Sequence, residues 1–154
     1  MTSPPPPQHY RSKTLAAWLA LVGGALGMHR FYMHGLADKL AWAHAPVTAL
    51  GLVGAQRMSA FGQDDQVAWF LIPLLGLMLS QAMLCAILFA LMPDERWDAK
   101  HNPGRSGRAT RWGAVLAAVA ALALGGVVLI GTIAFSVQKF FEWQIESTQP
   151  APRR

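Results

Sequence analysis

The sequence predicts an all-α integral membrane protein whose four transmembrane helices form two helical hairpins. Three observations carry that expectation. Of its 154 residues, 53% are hydrophobic and only 14% charged, where ordinary soluble domains carry about 25% charged residues. The charges fall into short clusters separated by long uncharged runs, as in a chain whose surroundings alternate between water and lipid. A chain this short also lacks the interior volume to hide such an apolar excess in a soluble core.

The elements follow in chain order. Residues 1–13 include Pro4 to Pro7; a proline run favours polyproline II and offers no amide donors, so a disordered tail is expected. The first apolar segment, 14–28, follows Arg11 and Lys13, and the second, 40–56, ends before Arg57. The third, 67–92, has 26 residues without a formal charge, and the fourth, 112–138, has 27. A spanning helix needs roughly 20 residues, so the last two are long enough. At about 1.5 Å per residue the first two cover roughly 22 and 26 Å of a core about 30 Å thick. The turn between them is therefore expected in the interface, and a shallow re-entrant hairpin over 14–57 is the alternative. A cleaved signal peptide is disfavoured, because no small-x-small site precedes the aromatic turn.

Residues 58–138 form the expected second hairpin, joined by a connection at 93–111. That connection carries Arg96, Lys100, Arg105, Arg108 and Arg111 around Asn102-Pro103-Gly104, which reads as a solvated basic loop touching anionic headgroups. Residues 139–154 are expected to be an interfacial and disordered tail. Trp42, Trp69, Trp112 and Trp143 fall near segment ends, Trp18 lies one turn inside the first segment, and Trp97 sits in the polar connection; this is an aromatic belt. Pro46 and Pro73 lie inside segments two and three and predict kinks.

Helices in lipid gain little from hydrophobic burial against one another, so close backbone approach must hold them together. Ala16, Ala20 and Gly24 in the first segment and Gly113, Ala117, Ala121 and Gly125 in the fourth recur at a spacing of four. Both sets are expected packing faces. Ala41, Ala45 and Ala49 suggest a third in segment two.

Several function classes are disfavoured. The single Cys85 excludes an internal disulfide, and its apolar setting suggests an inert small hydrophobe. The net charge of +5 is spread beside apolar segments rather than along one stripe, so lipid headgroups fit better than nucleic acid. Ser12, Ser59 and Ser80 have no acid–His pattern near them, so no enzyme is expected. No cofactor is expected either. His29 and His34 are five residues apart, roughly 140° around a helix, which does not suit a metal. His44 lies within segment two and is expected to hydrogen-bond a neighbouring helix. With four spans, six Lys and Arg residues fall on one side of the membrane and seven on the other, which leaves orientation open.

Residue identity concentrates in one turn: Gly27, His29, Arg30, Phe31, Tyr32 and Gly35. Arg30 is expected to snorkel to headgroups, with Phe31 and Tyr32 in the interface. With Ser12-Lys13 and the glycines Gly23, Gly24 and Gly27 before it, this stretch resembles the TM-two domain family over about residues 11–57. The resemblance implies a two-helix membrane hairpin without established enzymatic activity. Two departures stand out: Met33-His34 lengthens the step between tyrosine and glycine, and segment two ends in Gly54-Ala55-Gln56-Arg57 instead of a tryptophan and an aspartate. The expected function is structural, partner-binding or regulatory, in the bacterial cytoplasmic membrane, with a membrane-protein partner or a homo-oligomer. The alternative is a small transporter or channel component acting as an oligomer.

Overall fold

A computed structural model of the chain describes residues 10–104, 110 and 112–148. The tract Pro4 to Pro7, the loop residues Arg105, Arg108 and Arg111, and residues 149–154 lie outside the described residues. The described chain is all-α and contains no strand: α1 (Lys13–Gly23), one 3-10 turn (Gly24–Leu26), α2 (Met28–His34), α3 (Lys39–Phe61), α4 (Gln66–Leu91), α5 (Asp94–His101) and α6 (Trp112–Thr148).

Only two of these helices, α4 and α6, are long and apolar enough to cross a membrane, not four. At about 1.5 Å per residue their 26 and 37 residues reach about 39 and 55 Å. The first segment falls short because its glycines end it early. Regular helix stops at Gly23, and Gly27 adopts φ 81°, a left-handed conformation that closes helices. A Cβ at Gly27 would stand 2.5 Å from the Ala41 carbonyl oxygen, so the backbone passes where only glycine fits. The third helix is long enough, with 23 residues, but His44, Thr48, Gln56 and Arg57 dilute its apolar content.

After Gly27 the chain turns back on itself. The Tyr32 hydroxyl accepts a hydrogen bond from the Ser12 amide at 2.7 Å, and Met33 packs with Ala16 and Trp97. The start of α1 therefore lies at the end of the molecule that carries α5. Lys13 Nζ binds the Met92 carbonyl at 2.8 Å and the Asp94 carboxylate at 2.6 Å. This corrects the four-span layout, which set Arg11 and Lys13 at the same end as Arg57 and Lys139. Both layouts expected for residues 14–57, spanning or re-entrant, return the chain to the end at which it entered, whereas α3 carries it from the α5 end to the corner at Arg57 and Lys139.

The packing faces on α1 and α6 are where spacing placed them. Ala17, Ala90, Ala114, Ala117 and Ala118 form one buried cluster; Ala20, Met83, Ala86 and Ala121 form the next. Ala16 is fully buried beside Met33 and Trp97. A Cβ on Gly24 would meet Ala82 Cβ at 2.6 Å, one on Gly125 would meet Met83 Cβ at 2.6 Å, and one on Gly113 would meet Thr14 at 3.1 Å. The face expected on segment two is rotated. Ala41 is buried but Ala49 is exposed, and α3 instead turns Thr48, Gly51 and Gly54 inward, with Gly51 against Leu75 and Gly54 against Leu71.

Two further corrections concern the polar stretches. The 93–111 connection contains an eight-residue helix, α5, with Asp94 and Glu95 in its first turn and Lys100 and His101 in its last, which complements the helix dipole at both ends. Residues 139–148 are no tail but the last turns of α6, where Lys139 is buried against the α3–α4 corner.

Candidate functional site

The six residues singled out by sequence lie on α2 and its two ends, not in an open turn. Each of the four side chains is engaged within the molecule. His29 is 2% exposed and, with Trp97, is one of the two largest fully buried side chains. Its ring lies 5.8 Å from that of His44 and 6.0 Å from that of Phe89. Burial first, then His44 and the Arg30 charge, lower the His29 imidazole to about 4, so the ring is neutral at physiological pH. Arg30 is paired within the molecule: its Nε donates to Asp38 at 2.9 Å, and a terminal nitrogen lies 2.9 Å from the same oxygen. Phe31 meets the Trp42 ring edge-on at 5.0 Å. Tyr32 is held by Ser12.

Arg30 belongs to a corner that recurs. Arg30, Gly35, Asp38, Ala41 and Trp42 occupy the α2–α3 corner; Arg57, Gly62, Asp65, Ala68 and Trp69 occupy the α3–α4 corner at identical spacing. Gly35 and Gly62 end their helices with φ 81° and 89°. Asp38 and Asp65 cap the next helices by accepting from the Leu40 and Val67 amides. Arg57 donates to Asp65 from two nitrogens, at 2.7 and 3.1 Å. The Trp42 indole donates to the Leu36 carbonyl at 2.9 Å, and Trp69 to Gln63 at 2.7 Å. Ala41 and Ala68 are fully buried. At Asp65 the Arg57 hydrogen bonds hold the carboxyl below its usual range; at Asp38 burial opposes, but the Leu40 amide and Arg30 prevail.

Sequence reasoning missed Asp38 and Asp65. The signal was present as a self-match of the chain at a fixed offset, Arg-x4-Gly-x2-Asp-x2-Ala-Trp, read from either corner.

It also missed a polar cluster around α5. Trp97 is 1% exposed, and its indole donates to the Arg11 carbonyl at 2.8 Å. Asn102, 5% exposed, accepts from the Arg11 amide at 2.8 Å and donates to the Arg11 carbonyl at 3.1 Å and to Asp98 at 2.9 Å. The Tyr10 hydroxyl donates to Asp98. Asp94 accepts from both the amide and the hydroxyl of Thr110. Burial alone would raise the Asp94 carboxyl, but Lys13 and Thr110 bring it down to about 2. A tryptophan at the centre of an octapeptide with five charged residues was the available clue.

The arrangement is rich in internal locks and poor in reactive groups. Among the described residues no three His, Cys, Asp or Glu side chains converge on a common point. Cys85 donates and accepts little beyond a 3.5 Å contact from Gln81. Comparison with known proteins finds no matching family model, no similar curated protein and no similar solved structure.

Proposed function

We propose that the chain is a small, non-enzymatic integral membrane protein of the TM-two-domain type with a structural, partner-binding or regulatory role. The observation that carries the membrane reading is the exposure of α4 and α6. Their most apolar windows are only 28% and 22% buried within the molecule, and residues such as Phe70, Val127 and Ile130 are 78, 74 and 70% exposed. The core helix of a soluble protein would turn such residues inward; bare apolar faces of this extent suit lipid.

In this reading α4 and α6 span the bilayer, α3 crosses beside α4, and α1 and α2 form a re-entrant hairpin. The hairpin, the first corner and α5 share one end; the second corner and the end of α6 share the other. That layout redistributes the positive charge. Among the described residues, six Lys and Arg fall at the α5 end (Arg11, Lys13, Arg30, Lys39, Arg96 and Lys100) and two at the opposite end (Arg57 and Lys139), a bias that supports a cytoplasmic α5 end. The His-Arg-Phe-Tyr segment then serves chiefly to lock α2 in place, leaving the water-facing surface of α5 and the corner at Leu36 for a partner.

Single cysteines in a Cys85→Ala background, labelled with a membrane-impermeant maleimide on intact cells and after lysis, test the arrangement. Cysteines at Leu36 and Lys100 should label only after lysis, and those at Gln63 and Gln144 on intact cells. Labelling of Leu36 and Lys100 from opposite sides, or release of the protein from membranes by alkaline carbonate, would refute it.

A further inference from the structure

The contact between His29 and His44 has no role in the locks described above, and two of its nitrogens are unaccounted for. His29 Nδ1 and His44 Nε2 are both shielded from solvent and have no hydrogen-bond partner. Leaving a buried polar atom unpaired costs about 1–3 kcal/mol, so an unpaired nitrogen on each of two neighbouring rings calls for an explanation. His44 is further prepared. Its Nδ1 lies 2.6 Å from the Leu40 carbonyl, and because a carbonyl only accepts, Nδ1 must carry the hydrogen. In the neutral ring Nε2 then holds a lone pair. A histidine fixed in this way by a backbone carbonyl is the usual state of a metal-binding imidazole.

The separation of the rings fits a shared ion. Two nitrogens about 2 Å either side of a metal, with each ring centre roughly 1 Å further out, put the centroids about 5–6 Å apart for bent to linear geometry. The observed separation is 5.8 Å, with the ring planes at 76°.

We infer that His29 and His44 form a binding site for a single copper(I) ion, held between helices α2 and α3. The ligand set selects the ion. Zinc wants four ligands in a tetrahedron, and among the described residues no third His, Cys, Asp or Glu joins the pair. Copper(I) is satisfied by few ligands and binds imidazole. A single positive charge is also easier to accommodate than a double one beside Arg30, whose own charge is balanced by Asp38. The site stands independently of the proposed membrane role.

The test uses the full-length protein in detergent micelles without oxygen, challenged with copper(I) and the chromogenic chelator bicinchoninate as competitor. The wild type should withdraw one equivalent per chain, and X-ray absorption should report a low-coordinate copper(I) bound by nitrogen. His29→Phe and His44→Phe, which keep a ring in place, should each weaken binding by at least about 100-fold. His34→Gln and Cys85→Ala should bind like the wild type, because the site uses two imidazoles alone. Helical circular dichroism and a single elution peak establish that each variant is folded; should His29→Phe misfold, His44→Phe decides. No copper retained against the chelator, retention by a folded His44→Phe variant, or loss on Cys85→Ala would each overturn the assignment.

Discussion

Replacing Trp97 by alanine should release the first hairpin from α5 while leaving the α4–α6 pair intact. The indole is 1% exposed and packs among Ala16, Met33 and Met92, with Phe89 at 5.8 Å and His101 at 4.4 Å. Truncating a buried aromatic of this size to alanine costs about 3–5 kcal/mol. Part of that is the hydrogen bond to the Arg11 carbonyl, about 1 kcal/mol. A loss of about 4 kcal/mol raises the local opening equilibrium roughly a thousandfold.

Amide hydrogen exchange, read by mass spectrometry on peptides covering residues 10–34, measures that opening directly. Peptides from the middle of α4 and α6 serve as internal references and should change little, since they lie outside the cluster around Trp97. Trp97→Phe should keep most of the packing and lose about 1 kcal/mol. Trp112→Ala, at a residue 77% exposed, should stay within about 0.5 kcal/mol. Unchanged exchange over residues 10–34 in folded Trp97→Ala protein would refute the view that α5 holds the hairpin.

Acid should act on the same end of the molecule. The Asp94 carboxyl lies near 2 when folded against 3.8 unpaired, so its contribution is complete above about pH 4 and is lost as the pH falls towards 2. Nearly two pH units correspond to about 2.5 kcal/mol; with the side chain a third exposed, screening leaves about 1 kcal/mol. The thermal midpoint of wild type above Asp94→Asn should shrink across that window, and a constant gap would count against the ion pair. Gly35→Ala and Gly62→Ala should each cost about 1–3 kcal/mol in thermal or denaturant unfolding, although neither added methyl meets any atom within 4 Å; neutral variants would show that the corners tolerate another conformation. Thr48→Val should lose about 1 kcal/mol, because its hydroxyl donates to the Ala25 carbonyl at 2.6 Å from a side chain 5% exposed; equal thermal midpoints would remove that link.

The long apolar helices were legible because an uncharged run of 26 or 27 residues has few alternatives to a helix. The stripes Ala16, Ala20 and Gly24 and Gly113 to Gly125 were legible too, since spacing along a helix alone decides which residues share a face. The path of the first hairpin was not. Counting apolar residues from Thr14 to Met28 gives a segment length, but three glycines in its last six positions set where the helix ends. The partners of Lys13, Trp97 and Asn102 were hidden for a different reason. They join residues some 80 to 90 positions apart, and local pattern holds no information about such pairs. His44 fared in part: its bond falls on Leu40 of its own helix, one turn back.

The repeated corner changes which part of the His-Arg-Phe-Tyr signature is distinctive. Wherever two helices meet at a tight corner, the first leaves unpaired carbonyls and the second leaves unpaired amides. The corner answers each need with one residue. Glycine turns the first helix off, aspartate caps the second, arginine neutralises the aspartate, and the tryptophan indole takes a carbonyl of the connecting loop. The Arg57 corner meets the same need with the same residue types but without the adjoining histidine, phenylalanine and tyrosine in sequence; its arginine instead lies 5.0 Å from the centre of the Phe61 ring. Arg30 is therefore explained by the geometry of a helical corner and requires no ligand. What the first corner adds is His29 facing His44, Phe31 against Trp42 and Tyr32 holding Ser12. Phe31 and Tyr32 are accounted for by packing and by a hydrogen bond. His29, buried and with an unpaired nitrogen, is the one member of the motif whose presence the fold alone does not explain.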